Sequence, residues 1–359
     1  MSALSSKEQI VKQWNKFGWK KKFEFFSDHE VALPEDKIEC LKNSREKTSI
    51  WKLILTDGIN SLPAVLKIFK PPFNENHIVE INMYRRGYAA MAEFMPKMYW
   101  IEERVNDDEI WLFTEFIQPL RGQIKITPRH LDLIIPTAAK FHARTFGDRI
   151  TRYKDSFDSW LPRYDSALAN TERSNHIEKT KQYLDLAMKD PGLRGIVEPG
   201  YNTIQSVLQK GPIFFPEIME AGQCLIHGDL HLHNLCCQNG TDEVNWNIQM
   251  IDWESAKYAP CSYDMVVLVE LLIDFRTDWH KKEEEIRSHC MLLYAQEMQK
   301  EGITFQTDIL KLLKMTYLQR TLEKRLLNHL KRVLNGEQSI LLKRYIEKIN
   351  SWGKEFGLY

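Results

Sequence analysis

Glycine is scarce in this chain, 16 of 359 residues, against an average of roughly 7%. Long apolar runs are missing as well. The longest, residues 265–273, is interrupted by Glu270 and falls far short of the roughly 20 residues a membrane-spanning helix needs. Neither sign of charge is in surplus. The 49 Lys and Arg face 49 Asp and Glu, which argues against a dedicated nucleic-acid binder with its basic surface. Six cysteines do not make a disulfide scaffold at this length. Residues 1–19 are polar, broken by Lys7, Lys12 and Lys16, and lack the pattern of a secretory signal. We therefore expect reduced thiols in a cytoplasmic protein. Internal repeats and low-complexity segments are also lacking. The composition is that of an ordinary globular chain, which excludes collagen-like and disordered classes.

The length implies two lobes, since single cores stop growing at roughly 250–300 residues. Ser6-Lys7-Glu8-Gln9 reads as a capping box opening a helix with Ile10, Val11 and Trp14 on its apolar side. Short β-type runs follow at residues 38–41, 50–55 and 64–69, with turns at Asn43-Ser44-Arg45 and Asp57-Gly58-Ile59-Asn60. They predict an antiparallel meander. Helical spacing covers residues 76–88, and strands return at 98–101 and 110–117 across the turn Asn106-Asp107-Asp108. Thr127-Pro128 starts a helix that Pro136 is expected to interrupt. Residues 138–207 and 263–359 are mostly helical in pattern, with a strand–loop–strand block at 224–253.

That block carries the chemistry. Its core is Cys224-Leu225-Ile226-His227-Gly228-Asp229-Leu230-His231-Leu232-His233-Asn234, and Ile251-Asp252-Trp253-Glu254 follows, with Asp252 18 residues after Asn234. A carboxylate, an amide five residues on and a second carboxylate after a turn are what phosphoryl transfer from a nucleotide needs. One carboxylate takes the proton of the attacking hydroxyl, while the amide oxygen and the other carboxylate hold magnesium on the phosphates.

His227-Gly228-Asp229 with Asn234, then Ile251-Asp252-Trp253-Glu254, then Ser262-Tyr263-Asp264-Met265 resemble, in order and spacing, the motifs of the aminoglycoside phosphotransferase and choline kinase group, relatives of the protein kinases. The resemblance spans about residues 37–273. It implies that Asp229 is the catalytic base, that Asn234 and Asp252 are the Mg²⁺ ligands, that Asp264 is structural and that His227 braces the loop. Lys67 in Ala64-Val65-Leu66-Lys67 matches the strand lysine that pairs with phosphates. Glu80, 13 residues later, is its expected ion-pair partner. Leu112-Phe113-Thr114-Glu115-Phe116-Ile117 resembles the hinge, so the backbones of Glu115 and Ile117 are expected to bind adenine. Ala138-Ala139-Lys140-Phe141-His142 resembles a helix common in the group. Two departures stand out. The loop corresponding to the glycine-rich phosphate loop, residues 41–48, holds no glycine, and Ser44 is the candidate phosphate contact in its place. No Ala-Pro-Glu follows, and Asp264 comes 12 residues after Asp252, which leaves no room for the activation loop of a protein kinase.

The expected fold is therefore α+β and bilobal, with a nucleotide-binding lobe at residues 1–116 and a catalytic, acceptor-binding lobe at 117–359. The expected activity is ATP-dependent transfer of the γ-phosphoryl group to a hydroxyl of a small, amine-bearing acceptor, with Mg²⁺ as cofactor; GTP stays open as an alternative donor. Neither a nucleic-acid partner nor a membrane span is expected. Two other readings are a silent kinase-shaped binding or coat protein and a zinc site built from His227, His231, His233 and the nearby cysteines. Glu270, Asp274 and Asp278 recur every four residues on one helical face. Glu270 and Asp274 are the candidate wall for a cationic acceptor, with Trp253 or Trp279 as a cation–π face. Residues 308–359 carry 11 Lys and Arg against 5 Asp and Glu, read as amphipathic helices with their cations outward.

Overall fold

Every second residue of Thr48–Thr56 is buried, and this period of two builds the first layer of the fold. A computed structural model describes residues 6–23, 31–43, 48–106, 108–242, 244 and 246–359. They divide into two compact units. The first comprises Met1–Gln123, Leu235–Thr241 and Asn247–Glu254; the second comprises Ile124–Asn234, Asp242–Trp246 and Ser255–Tyr359. A single cut after residue 116 does not describe this division, because two later segments return to the first unit.

In the first unit, β1 (Ile38–Asn43), β2 (Thr48–Thr56), β3 (Ser61–Phe69), β4 (Met98–Val105) and β5 (Glu109–Glu115) form an antiparallel sheet in the order β1-β2-β3-β5-β4. The turn between β2 and β3 closes because Asp57 Oδ1 accepts the N–H groups of Ile59 (2.9 Å) and Asn60 (2.6 Å). One face of the sheet, with Trp51, Leu53, Leu66, Trp111 and Phe113, packs against Trp14 of helix α1 (Ser6–Lys16) and against Trp19 and Phe23. The Trp19 ring lies 5.1 Å from Trp111 and 4.9 Å from Phe113. Each such side chain contributes about 1.5–3 kcal/mol on burial. Helix α2 (Glu75–Asn82) is capped by Asn74, whose side chain accepts the His77 N–H at 2.9 Å. A π turn, Met83–Gly87, carries the chain onward. Ser44 and Asp107 lie outside the described residues.

Four short strands follow: β6 (Gln223–Ile226), β7 (Leu235–Cys237), β8 (Ile248–Met250) and β9 (Lys257–Pro260). The hairpin β7–β8 belongs to the first unit, where Leu120 N–H donates to Leu235 O (2.9 Å) and Cys237 N–H to Gln118 O (3.0 Å). β6 pairs with β9 in the second unit. The rest of that unit is helical: α3 (Leu131–Arg144), α4 (Ala167–Lys189), α5 (Ser262–Met265), α6 (Glu283–Lys300), α7 (Ile309–Arg320), α8 (Leu326–Leu334) and α9 (Ile340–Glu355), with shorter turns between them. α3 packs along α6, and α4 along α8. No helix among the described residues is long and apolar enough to cross a membrane.

Pro136 does not interrupt α3, which runs through it. A proline inside a helix costs about 3 kcal/mol. Here Leu131, Ile134, Ile135, Ala138, Ala139 and Phe141 are all buried on that helix, and their burial outweighs the lost hydrogen bond.

Candidate active site

The first unit brings together Lys67, Glu80 and Asp252. Lys67 sits on β3 opposite Ile50 of β2 and Leu112 of β5, and strand alternation turns it away from the buried Leu66 and Ile68. Its ammonium donates to both oxygens of Glu80, at 2.7 and 2.6 Å, and to Asp252 Oδ1 at 2.7 Å. Burial works to strip the Lys67 proton, but the carboxylates of Glu80 and Asp252 outweigh it and hold the group charged, above its ordinary range. Burial pushes the Glu80 carboxyl up to about 7, against the pull of Lys67. The two-oxygen grip on Lys67 fits an ionised Glu80.

Asp252 follows β8 with a φ of 65°, the left-handed region that Asp enters more readily than most residues. Strained backbone of this kind concentrates at functional sites. The next residue, Trp253, is buried and donates its indole N–H to Met250 O at 2.9 Å. Glu254 then returns to the group. Oxygens of Glu80, Asp252 and Glu254 all lie within 4.8 Å of one another. Three carboxylates whose oxygens converge in this way are donors that suit a hard divalent cation. Glu254 was not singled out in the sequence, although its spacing two residues after Asp252 was visible.

The hinge segment is pinned from both sides. Glu115 N–H donates to Lys97 O at 2.7 Å, and Phe116 N–H to Pro63 O at 3.3 Å. Ile117 is buried, and its N–H makes no hydrogen bond among the described residues.

The second unit brings together Asp229 and Asn234. Asp264, fully buried, accepts the N–H of His227 at 2.7 Å and of Gly228 at 2.8 Å. Its Oδ2 also meets His142 Nε2 at 3.1 Å, while His142 Nδ1 meets the Tyr294 hydroxyl at 2.9 Å. Gly228 has a φ of +80°, and a Cβ there would fall 2.2 Å from the Ser255 carbonyl oxygen. Only glycine fits. Asn234 donates its side-chain N–H to Asp229 O at 2.9 Å, which leaves its amide oxygen as an acceptor. The Asp229 side chain is 38% exposed and lies 3.3 Å from His231 Nε2. Burial opposes its ionisation, but His231, Arg320 and Arg325 outweigh this and hold the carboxyl below its ordinary value.

Glu270 and Asp274 do not form a wall for an external cation. Glu270 is fully buried; it accepts from Arg287 through both oxygens and from Lys348 at 2.9 Å. Asp274 accepts from Lys348 (2.8 Å), Arg344 (2.7 Å) and the Tyr317 hydroxyl (2.8 Å). Helical spacing put these acids on one face, and internal cations from α6 and α9 cover that face. Asp278 is exposed and pairs with Arg276, whose guanidinium lies 4.5 Å over the Trp279 ring. The cysteines of the block are buried, and burial pushes the thiol of Cys224 well up and that of Cys236 to about 12.

A sequence model of the phosphotransferase enzyme family matches residues 50–287, about two thirds of the chain. Among solved structures, the fold is similar to an ethanolamine kinase of Plasmodium vivax, at 14% identity and a TM-score of 0.51 over 88% of this chain and 80% of that one. It is also similar to a spectinomycin phosphotransferase in complex with ADP and spectinomycin, at 10% identity and a TM-score of 0.51 over 93% and 94%. No curated protein matches the chain. Motif order, an antiparallel sheet ahead of a helical unit and the family match agree: the chain belongs to the phosphotransferase enzyme family and is an ATP-dependent small-molecule kinase acting on a hydroxyl group.

Proposed function

We propose that Asp229 takes the proton of the acceptor hydroxyl as that oxygen bonds to the γ-phosphorus of ATP and the bond to the ADP oxygen breaks. The observation that carries this reading is the build of the loop. Asp264 fixes the two N–H groups before Asp229, Asn234 ties down its carbonyl, and the carboxylate itself stays open and ionised. Such a positioned carboxylate is the proton acceptor that phosphoryl transfer uses.

In this reading Lys67 orients the α- and β-phosphates. Glu80 supports that role by keeping Lys67 charged and in place. The amide oxygen of Asn234 and the carboxylate of Asp252 would each serve as a Mg²⁺ ligand, and Glu254 lies beside Asp252. When bound, the ion neutralises charge on the phosphates. The Ile117 N–H and the Glu115 carbonyl receive the edge of adenine. Ser44 contacts phosphate in the glycine-free loop. An amine on the acceptor loses its support here, because Glu270 and Asp274 are committed internally.

Two measurements test the reading: ADP release across hydroxylated small molecules and thermal stabilisation by ATP with Mg²⁺. Stabilisation and acceptor-dependent ADP release are expected. If ATP with Mg²⁺ neither stabilises the protein nor turns over, the catalytic assignment fails and the chain is a kinase-shaped binding protein.

A further inference from the structure

The basic surplus of residues 308–359 turns inward at one point. Arg320, the last residue of α7, is 6% exposed. Yet its guanidinium makes no hydrogen bond and no ion pair among the described residues. Burying a cation without a partner is unfavourable, and buried polar groups are otherwise satisfied almost everywhere. Burial, reinforced by Arg325, pushes the Arg320 guanidinium down to about 10, while Tyr345 and Asp229 pull the other way. Contacts place it by the loop of the assigned base: Thr316, four residues earlier on α7, meets Ser262, and Asp264, two residues after Ser262, holds the Gly228 N–H next to Asp229.

Its surroundings are fixed and hold more positive charge. One turn before Arg320, the Thr316 hydroxyl meets Ser262 Oγ of α5 at 2.7 Å. The turn after it, Thr321–Arg325, is a π turn, a feature that concentrates at functional sites. Within that turn Glu323 accepts from the hydroxyls of Tyr164 (2.8 Å) and Tyr263 (3.1 Å). Its hydrogen bonds thus come from neutral donors rather than from a cation. Lys257 stands opposite Ile226 in the β6–β9 ladder, three residues before Asp229. It too has no ion pair; its ammonium lies 6.0 Å over the Tyr263 ring. Burial lowers it, with Glu323 opposing. Arg325 is half-buried and equally without a paired carboxylate. Asp264 is saturated by the loop N–H groups and His142. Arg320, Lys257 and Arg325 are thus three cations without a paired carboxylate among the described residues, and the single carboxylate of Glu323, held by neutral donors, offsets only part of their charge.

We propose that the acceptor is an anionic alcohol. Its hydroxyl meets Asp229 while its carboxylate or phosphate group pairs with Arg320, flanked by Lys257 and Arg325. A guanidinium takes either oxyanion through two parallel N–H donors. The proposal rests on the phosphotransferase reading above and adds the charge of the acceptor to it.

Arg320→Met tests it. Methionine is similar in length and removes an unpaired buried charge, so the apoprotein should keep or raise its melting temperature; a clear fall would make Arg320 structural and overturn the proposal. With the nucleotide site filled by ADP and Mg²⁺, calorimetric titration of inorganic phosphate should show saturable binding to the wild type. The variant should bind about tenfold more weakly, the worth of one charge-assisted pair. No saturable binding, or equal binding by both proteins, overturns it. ADP release is then compared across glycerol, serinol, glycerate and glycerol 3-phosphate, which share a three-carbon polyol frame. Turnover of glycerate or glycerol 3-phosphate supports the proposal and tells carboxylate from phosphate. Turnover of serinol with none of either anion overturns it and leaves the phosphotransferase reading standing. Failure of ATP with Mg²⁺ to stabilise the protein sinks that reading instead.

Discussion

At the scale of single residues, the decisive feature is charge held against burial. Burial pulls the Lys67 pKa down, and Glu80 and Asp252 outweigh it and hold the ammonium charged inside the first unit. Lys67→Met should therefore abolish most of the thermal stabilisation by ATP with Mg²⁺, and it leaves Glu80 buried without its cation. Asp229→Asn should lower kcat by about 10²–10⁴, the usual worth of general base catalysis. It should leave ATP·Mg²⁺ stabilisation intact, since Asp229 lies outside the nucleotide contacts proposed; a near wild-type rate would reject the base assignment. Asp229, Asn234 and Asp252 were legible in the sequence because the loop and turn that hold them are local. Lys67 and Glu80 were legible through the strand-to-helix spacing of 13 residues. Glu270 and Asp274 were misread. Helical periodicity tells which residues share a face, and it is silent on what covers that face. Here the cover is Arg287, 17 residues from Glu270, and Lys348, 78 residues away.

At the scale of elements, the catalytic loop is a short segment with its backbone nailed down. β6 delivers it, Asp264 takes its first two N–H groups, and Gly228 makes the turn with positive φ. Gly228→Ala meets two obstacles. The left-handed conformation costs a non-glycine residue about 1–2 kcal/mol, and the new Cβ meets a backbone oxygen at 2.2 Å that no rotamer change can move. A lowered melting temperature together with lost turnover is expected; an alanine variant with normal values for both would refute this account of the loop. The five-stranded sheet was legible from alternation and turn chemistry alone. β9 was not, because its four residues become a strand by pairing with β6, more than 30 residues earlier in the sequence. Pro136 was misjudged for a related reason: burial of the apolar face of α3 is a tertiary quantity that local propensity does not contain.

At the scale of the whole molecule, the zero net charge is a balance with internal structure. Residues 213–278 hold 11 Asp and Glu against two Lys and Arg, and part of that excess is neutralised within the second unit by Arg344 and Lys348 of α9. Removing one member of such a buried network costs about 3–5 kcal/mol, so Glu270→Gln should lower the unfolding free energy by that amount in a denaturant titration. The same group sets an acid limit. Burial opposes its ionisation, yet Lys348 and Arg287 prevail and take its pKa from 4.5 to about 2. A carboxyl depressed in the folded state stabilises above its unfolded pKa and stops doing so as pH falls through the folded one. About 3 kcal/mol should therefore be lost between pH 4.5 and about 2, and melting temperatures across that range should fall less steeply for Glu270→Gln than for the wild type. The sequence by itself determined the family, the α+β class, the sheet-then-helices order and the motif residues, because those are written in local spacing, alternation and turn chemistry. Only the tertiary structure decided which acids are already neutralised, that Glu254 joins Asp252 and Glu80, and that Arg320 is buried without an ion pair among the described residues. Burial and pairing between distant segments set the cost of every charge, and no local pattern records them.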